Sequence, residues 1–297
     1  MRVLVLTGSG RLADPWHPFA ATSAAIARVA EEAGFATTIA PDPIARLAVL
    51  GRAAAQTRGG TSEHAAVGTA MRAAEVDPGD GPDPVATDPS PSSPPLDDLA
   101  AIVVDAGDHL TPLPEGVADP GAPSPQLLEA AAAGLRAALD AGVGLLGVHA
   151  AASTLREVPG FGEALGARWE RDESWHPPFG RLRVEPAPAA PSRLEVPVPS
   201  ELREPVVVPE PFEVRERFVV PEPFEVLDER YTALRFADDA VTVARAVDAD
   251  GVHPLVTARR EGPARVVYSA LGHDERSYTS AAHRALLASA LHWIARR

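Results

Sequence analysis

The chain has 297 residues, no cysteine, and a formal net charge of −14 from 27 basic and 41 acidic residues, every basic one an arginine. Without cysteine or lysine there can be no disulfides, thiolate metal sites, iron–sulfur clusters, cysteine nucleophiles, Schiff bases or P-loop lysines. The acidic balance works against non-specific nucleic-acid binding, because phosphates need a basic face.

Val3–Thr7 is a short apolar run ending in Gly8-Ser9-Gly10, which suits a strand buried on both faces of a parallel sheet. Thr22–Gly34 carries Ile26, Val29, Ala30 and Ala33 at three- and four-residue spacing and predicts a helix stopped by Gly34. Phe35–Ala40 is the next strand, closed by Pro41, so the chain opens as a right-handed βαβ unit. Residues 51–96 read as a mobile insertion within a single domain spanning 1–297. Beyond a helix near Glu63–Glu75, Asp77–Pro95 holds seven Pro and four Asp in nineteen residues, too polar to bury a core.

Ala100–Val104 predicts a strand, Pro125–Ala141 an Ala/Leu-rich helix, and Val143–Val148 another buried strand. The order β-α-β-insertion-β-α-β predicts an open, doubly wound sheet. Residues 185–223 form a second Pro-rich loop region, with ten Pro in 39 residues. Within it VVPEPFEV occurs at Val207–Val214 and again at Val219–Val226, twelve residues apart. Two copies are too few for a solenoid, so this is a local duplication whose first copy is surplus, or else a β-hairpin. Val241–Val247, His253–Arg260 and Ala264–Leu271 predict strands, the last two separated by the turn Glu261-Gly262-Pro263. Ser280 opens a final helix through Leu286, Leu287, Leu291 and Ile294. The chain shows neither a membrane-length apolar run nor an export signal, so the expected location is cytoplasmic.

Ligands of doubly wound sheets bind beyond the carboxyl ends of the strands. Those ends carry Trp16-His17-Pro18, then Asp105, Asp108 and His109, then His149, and finally Gly272-His273-Asp274-Glu275. Gly147-Val148-His149-Ala150-Ala151 resembles a nucleophile elbow with His in place of Ser or Cys. The plainer reading is a histidine that bonds its own turn. His273 beside Asp274 and Glu275 suits a base with its orienting carboxylate, half of a metal site, or an acidic helix start. Trp175-His176-Pro177-Pro178 and Asp228-Glu229-Arg230-Tyr231 set aromatics beside carboxylates, as sugars require. Their plainer readings are a Trp-anchored loop and a surface ion pair of Glu229 with a nearby Arg. His253 is expected at the opposite sheet edge. His64, His283 and His292 read as surface or helix-face residues.

GVGLLGVHAA (Gly142–Ala151), LDERY (Leu227–Tyr231) and HPLVTARREGPARVVYSALGHDERSY (His253–Tyr278), with Trp16-His17-Pro18 and Trp175-His176-Pro177, resemble the motifs of the ThuA-like (trehalose utilisation) family. The likeness fails over 51–95 and 185–218, and Thr257 stands where the family usually has an aromatic residue. It implies a class I glutamine amidotransferase-like fold, a flavodoxin-like αβα sandwich, and a link to trehalose, related disaccharides and 3-keto-sugars. The expected function is an isomerase, lyase or hydrolase of a keto-sugar, not a glutaminase. His149, His273 and Glu229 would be catalytic, with His17, Asp108, His176, Tyr231 and Asp274 binding substrate and Asp274 orienting His273. A variant has His149, His176, Glu229 and His273 holding a divalent metal, since imidazole and carboxylate suit zinc or manganese. The rivals are a non-catalytic sugar-binding or regulatory module, and an interaction subunit working through its Pro-rich segments. The expected partner is a small sugar, with no nucleic acid and no membrane; a homo-oligomer stays open.

Overall fold

Near-continuous apolar strands followed by amphipathic helices must bury both faces of a sheet, and this chain does so in two styles. The computed structural model describes residues 1–59, 96–108, 121–188 and 220–295. Strands β1 (Arg2–Thr7), β2 (Ala36–Ala40), β3 (Leu99–Asp105) and β4 (Gly144–Val148) pair in parallel in the order β2-β1-β3-β4. Two short strands, β5 (Ala167–Arg168) and β8 (Arg235–Phe236), form a separate antiparallel pair. The main sheet continues with β6 (Gly180–Pro186), β7 (Phe224–Asp228), β9 (Val241–Asp248), β10 (Gly251–Glu261) and β11 (Ala264–Ser269). Its full order is β2-β1-β3-β4-β11-β10-β9-β6-β7: β11 lies parallel to β4, and the strands beyond it are antiparallel. The first five strands reproduce the 2-1-3-4-5 order of a flavodoxin-like sheet, with its switch point between β1 and β3.

Helices α1 (Phe19–Glu32) and α2 (Pro43–Gly59) flank β2; α3 (Pro125–Asp140) precedes β4, α4 (Phe161–Leu165) precedes β5, and α5 (Ala281–Ile294) follows β11. Helix α1 packs with α5, and α2 with α3. Right-handed crossovers place these pairs on opposite faces. The α2–α3 contact is a backbone approach: a Cβ on Gly134 would lie 1.8 Å from the Leu47 carbonyl oxygen. Ser124 caps α3 by accepting the Leu127 N–H at 3.2 Å, and Ser280 caps α5 by accepting that of His283 at 3.3 Å. Asp105 fastens α1 to β3 by accepting from Thr22 and Ser23, both at 2.7 Å, and burial pushes its carboxyl up to about 6.

Two elements differ from expectation. The insertion expected over residues 51–96 does not begin at Gly51, because α2 runs from Pro43 to Gly59. Pro41-Asp42-Pro43 reads as a break, yet Pro fits the first turn of a helix, and the Asp42 carboxylate accepts from the Ala45 N–H at 3.2 Å. His283, expected at a surface or on a helix face, lies on α5 but is fully buried and bonds the Ser277 carbonyl through Nδ1 at 2.9 Å. The second repeat copy enters β7 at Phe224. The first copy, the helix near Glu63–Glu75, the Asp77–Pro95 segment, His64 and His109 lie outside the described residues. Among the described residues no helix is long and apolar enough to cross a membrane.

Candidate functional site

The parallel strands end at one edge of the sheet, where the turns after β1, β4 and β11 each supply a histidine. After β1, the Asp14 carboxylate accepts from the backbone N–H of Trp16 (2.9 Å) and of His17 (3.0 Å). It also holds His17 Nδ1 at 2.7 and 2.8 Å, which fixes the ring. Burial alone would raise the Asp14 carboxyl, but its bonds with His17 and Trp16 and the charge of His17 bring it below the usual range.

After β4, His149 takes a left-handed backbone conformation with φ +46°. Such a conformation costs a non-glycine residue about 1 kcal/mol or more and persists where the surroundings enforce it. Here the Tyr268 hydroxyl donates to the His149 carbonyl at 3.0 Å, and His149 Nδ1 bonds the Ala270 carbonyl at 2.7 Å. A carbonyl only accepts, so Nδ1 carries the proton and Nε2 carries the lone pair. Burial, and then the neighbouring His17, hold this imidazole well below its ordinary pKa, so it is neutral at pH 7.

After β11, Gly272 (φ +119°) and His273 donate their backbone N–H groups to Asp228 at 2.8 and 3.2 Å. Asp228 sits at the end of β7 and also accepts from Glu229 N at 2.9 Å, and burial pushes its carboxyl up to about 7. It thereby ties the far antiparallel edge to the end of β11 and delivers Glu229. Glu229 Oε2 lies 3.6 Å from His149 Nε2 and 3.3 Å from His273 Nδ1. One ligating atom each from His17, His149, Glu229 and His273 all lie within 4.8 Å of one another. Burial lowers the His273 pKa, against the opposing pull of Glu229.

A cavity of about 350 Å³ opens above this cluster, walled by Trp16, Trp169, His176 and Tyr231, within the range of small-molecule sites. The Tyr231 ring stacks 4.0 Å from that of His149 and meets Trp169 edge-on at 4.7 Å. A second concavity of about 380 Å³, lined by Glu163, Arg168, Arg235 and Phe236, holds no histidine.

His17, His149, Glu229 and His273 therefore converge, and Tyr231 stands over them. His176 sits at the rim with Nδ1 3.5 Å from Glu229 Oε1. Asp108 does not line the cavity and lies 4.0 Å from an Arg171 nitrogen. Asp274 does not orient His273: its carboxylate is engaged by the Arg276 backbone N–H and guanidinium. Nor does Glu229 form a surface pair with Arg230, which bonds Asp248, Asp250 and His253. Sequence reasoning missed Asp14 and Trp169, and it named Asp228 only as one carboxylate of the Asp228–Tyr231 cluster. The Asp14-Pro15-Trp16-His17 spacing was the available signal for the first, since an Asx turn puts a carboxylate against a histidine three residues on.

Fold and site together define an α/β protein of the amidotransferase-like class with histidine on the elbow. A family model described as ThuA, trehalose utilisation, matches residues 122–294, more than half of the sequence, and the chain belongs to that family. Two solved structures described as ThuA-like share the fold. The one from Parabacteroides merdae is 13 % identical with a TM-score of 0.58, covering 99 % of this chain and 89 % of that one. The one from Bacteroides uniformis is 15 % identical with a TM-score of 0.50, covering 99 % and 90 %. No match was found among curated proteins.

Proposed function

We propose that this ThuA-family chain is an enzyme of carbohydrate catabolism that acts on a keto-sugar, such as a 3-keto-disaccharide, by proton transfer and without a cysteine nucleophile. The observation that carries this reading is the buried imidazole–carboxylate cluster at the floor of an aromatic-walled cavity. Aromatic faces stack on the apolar faces of sugars, and the lone pairs below meet the polar edge. A keto group acidifies the neighbouring C–H. A neutral imidazole such as His149 can take that proton, and His273 or Glu229 can return one to oxygen or carbon. Isomerisation, epimerisation or elimination follows from where the proton returns or which group leaves. His17, His176 and Tyr231 line the substrate's path. The reading supposes a cytoplasmic protein with a small sugar as its partner.

The test is turnover of a 3-keto-disaccharide by purified wild type, His149→Ala and His273→Ala, with circular dichroism to verify folding. Each variant should lose about 10²–10⁴-fold in kcat/KM. Undiminished turnover in both folded variants would overturn the reading, as would sugar binding by wild type with no product formed.

A further inference from the structure

We propose that His17, His149, Glu229 and His273 form a site for one divalent transition-metal ion of the zinc class. The inference shares its cavity with the sugar reading and claims the same lone pairs of His149 and His273, so a chain carrying the ion would not use those nitrogens as bases; it rests on the geometry of these side chains alone.

The first argument is the count of lone pairs. The outer nitrogen of His17 is taken by Asp14, and that of His149 by the Ala270 carbonyl. The nitrogens left facing inward, His17 Nε2, His149 Nε2 and His273 Nδ1, are buried and make no hydrogen bond among the described residues. Glu229 adds a carboxylate oxygen to the same space. Buried polar atoms are almost always satisfied, and three imidazole nitrogens with a carboxylate oxygen, once free of protons on their inner side, can converge on one cation.

The second argument is distance. A zinc ion binds imidazole nitrogen at about 2.0–2.1 Å in tetrahedral geometry, so neighbouring ligand atoms stand about 3.3–3.4 Å apart. The Glu229 oxygen stands 3.3 Å from His273 Nδ1 and 3.6 Å from His149 Nε2. All four ligand atoms lie within 4.8 Å of one another, so the widest pair would close by up to about 1.4 Å to reach that spacing. The third argument is the outer support. Metal-bound histidines nearly always donate their other N–H to a carboxylate or backbone carbonyl, as His17 and His149 are placed to do. A water or substrate oxygen entering from the cavity side would be a fifth ligand, a coordination number zinc can reach. His17 and Asp14, in the β1 turn, lie outside the matched residues 122–294.

The full chain is to be stripped with a chelator, titrated with Zn(II) or Co(II) and no sugar, and assayed by calorimetry and elemental analysis. The expected result is about one ion per chain, with Co(II) giving visible d–d bands. His17→Ala and Glu229→Gln should each weaken binding at least about tenfold. Asp14→Asn, which keeps every ligand, should weaken it about 10–100-fold with an unchanged circular dichroism spectrum. His253→Ala, in the separate Arg230–Asp248 cluster, should bind as wild type. No stoichiometric ion on folded wild type would overturn the proposal, as would full affinity in Asp14→Asn and His17→Ala together. Metal binding without sugar turnover would leave it standing while the enzymatic reading fell, and the reverse result would separate the two the other way.

Discussion

In the parallel half of the sheet, β3 is buried at every position, whereas β7 at the far antiparallel edge alternates buried and exposed residues. The first pattern belongs to strands covered by helices on both faces, the second to a strand with one wet face. The halves also contribute different chemistry. The parallel half supplies His17, His149 and His273 from its strand ends, and the antiparallel edge supplies Glu229 and Tyr231. Sheet topology accounts for the histidines, because a flavodoxin-like sheet gathers its strand-end turns at one place. The carboxylate arrives only because the antiparallel extension folds back over that place, with Asp228 as the fastening.

That division can be broken most severely at Asp228. Asp228→Ala strips a buried acceptor from the N–H groups of Glu229, Gly272 and His273. At roughly 1–3 kcal/mol for each unsatisfied group, the loss should be about 4 kcal/mol in urea unfolding. A loss under about 1 kcal/mol would show that the halves are held together elsewhere.

His283 sharpens the same seam from the parallel side, since α5 begins beside β7: the Ser280 side chain bonds the Glu225 carbonyl at 3.3 Å. Burial lowers the His283 pKa from 6.5 to about 4. The unfolded chain therefore takes up this proton more readily than the folded one. The stability contributed by neutral His283 is complete above pH 6.5 and is lost as pH falls through about 4, amounting to roughly 3 kcal/mol. Unfolding of wild type and His283→Gln, compared between pH 7.5 and 4, should show the wild type losing its advantage over that window. A pH-independent difference would refute it.

The smallest effect is expected far from the site. Gly134→Ala drives a Cβ into the Leu47 carbonyl. It should cost roughly 1–3 kcal/mol, offset in part by the better helix propensity of alanine. Turnover per folded molecule should not change. A fall in turnover would mean that helix packing in the parallel half does reach the strand-end turns.

The parallel half was largely legible in the sequence because β1, β3 and β4 are near-continuous apolar runs and α1 and α3 are periodic. Helix α2 was not, because Pro43 looks like an ending when it is a beginning. His283 lies three and four residues before Leu286 and Leu287, on the apolar stripe, so its burial was there to be read from the spacing. The membership of the site was only partly legible. The strand-end rule found His17, His149 and His273, and the resemblance drew attention to Glu229. The choice between His17 and His176 as the fourth member depends on ring orientation: Asp14 holds His17 with Nε2 facing the cluster, whereas His176 Nδ1 bonds the Pro177 carbonyl at the rim. Asp108, 4.0 Å from an Arg171 nitrogen, and Asp274, held by Arg276, are not among the four converging groups.

The convergence of four distant segments has a mechanical consequence. His17 stands near the start of the sequence and His273 near its end, with His149 and Glu229 between. Anything gripped by all four at once links loops that enclose most of the polypeptide. It therefore acts as a removable staple, in a chain that has no cysteine with which to make a permanent one. An occupant that binds only the folded form raises stability by mass action, so resistance to heat and proteolysis should follow the supply of that occupant.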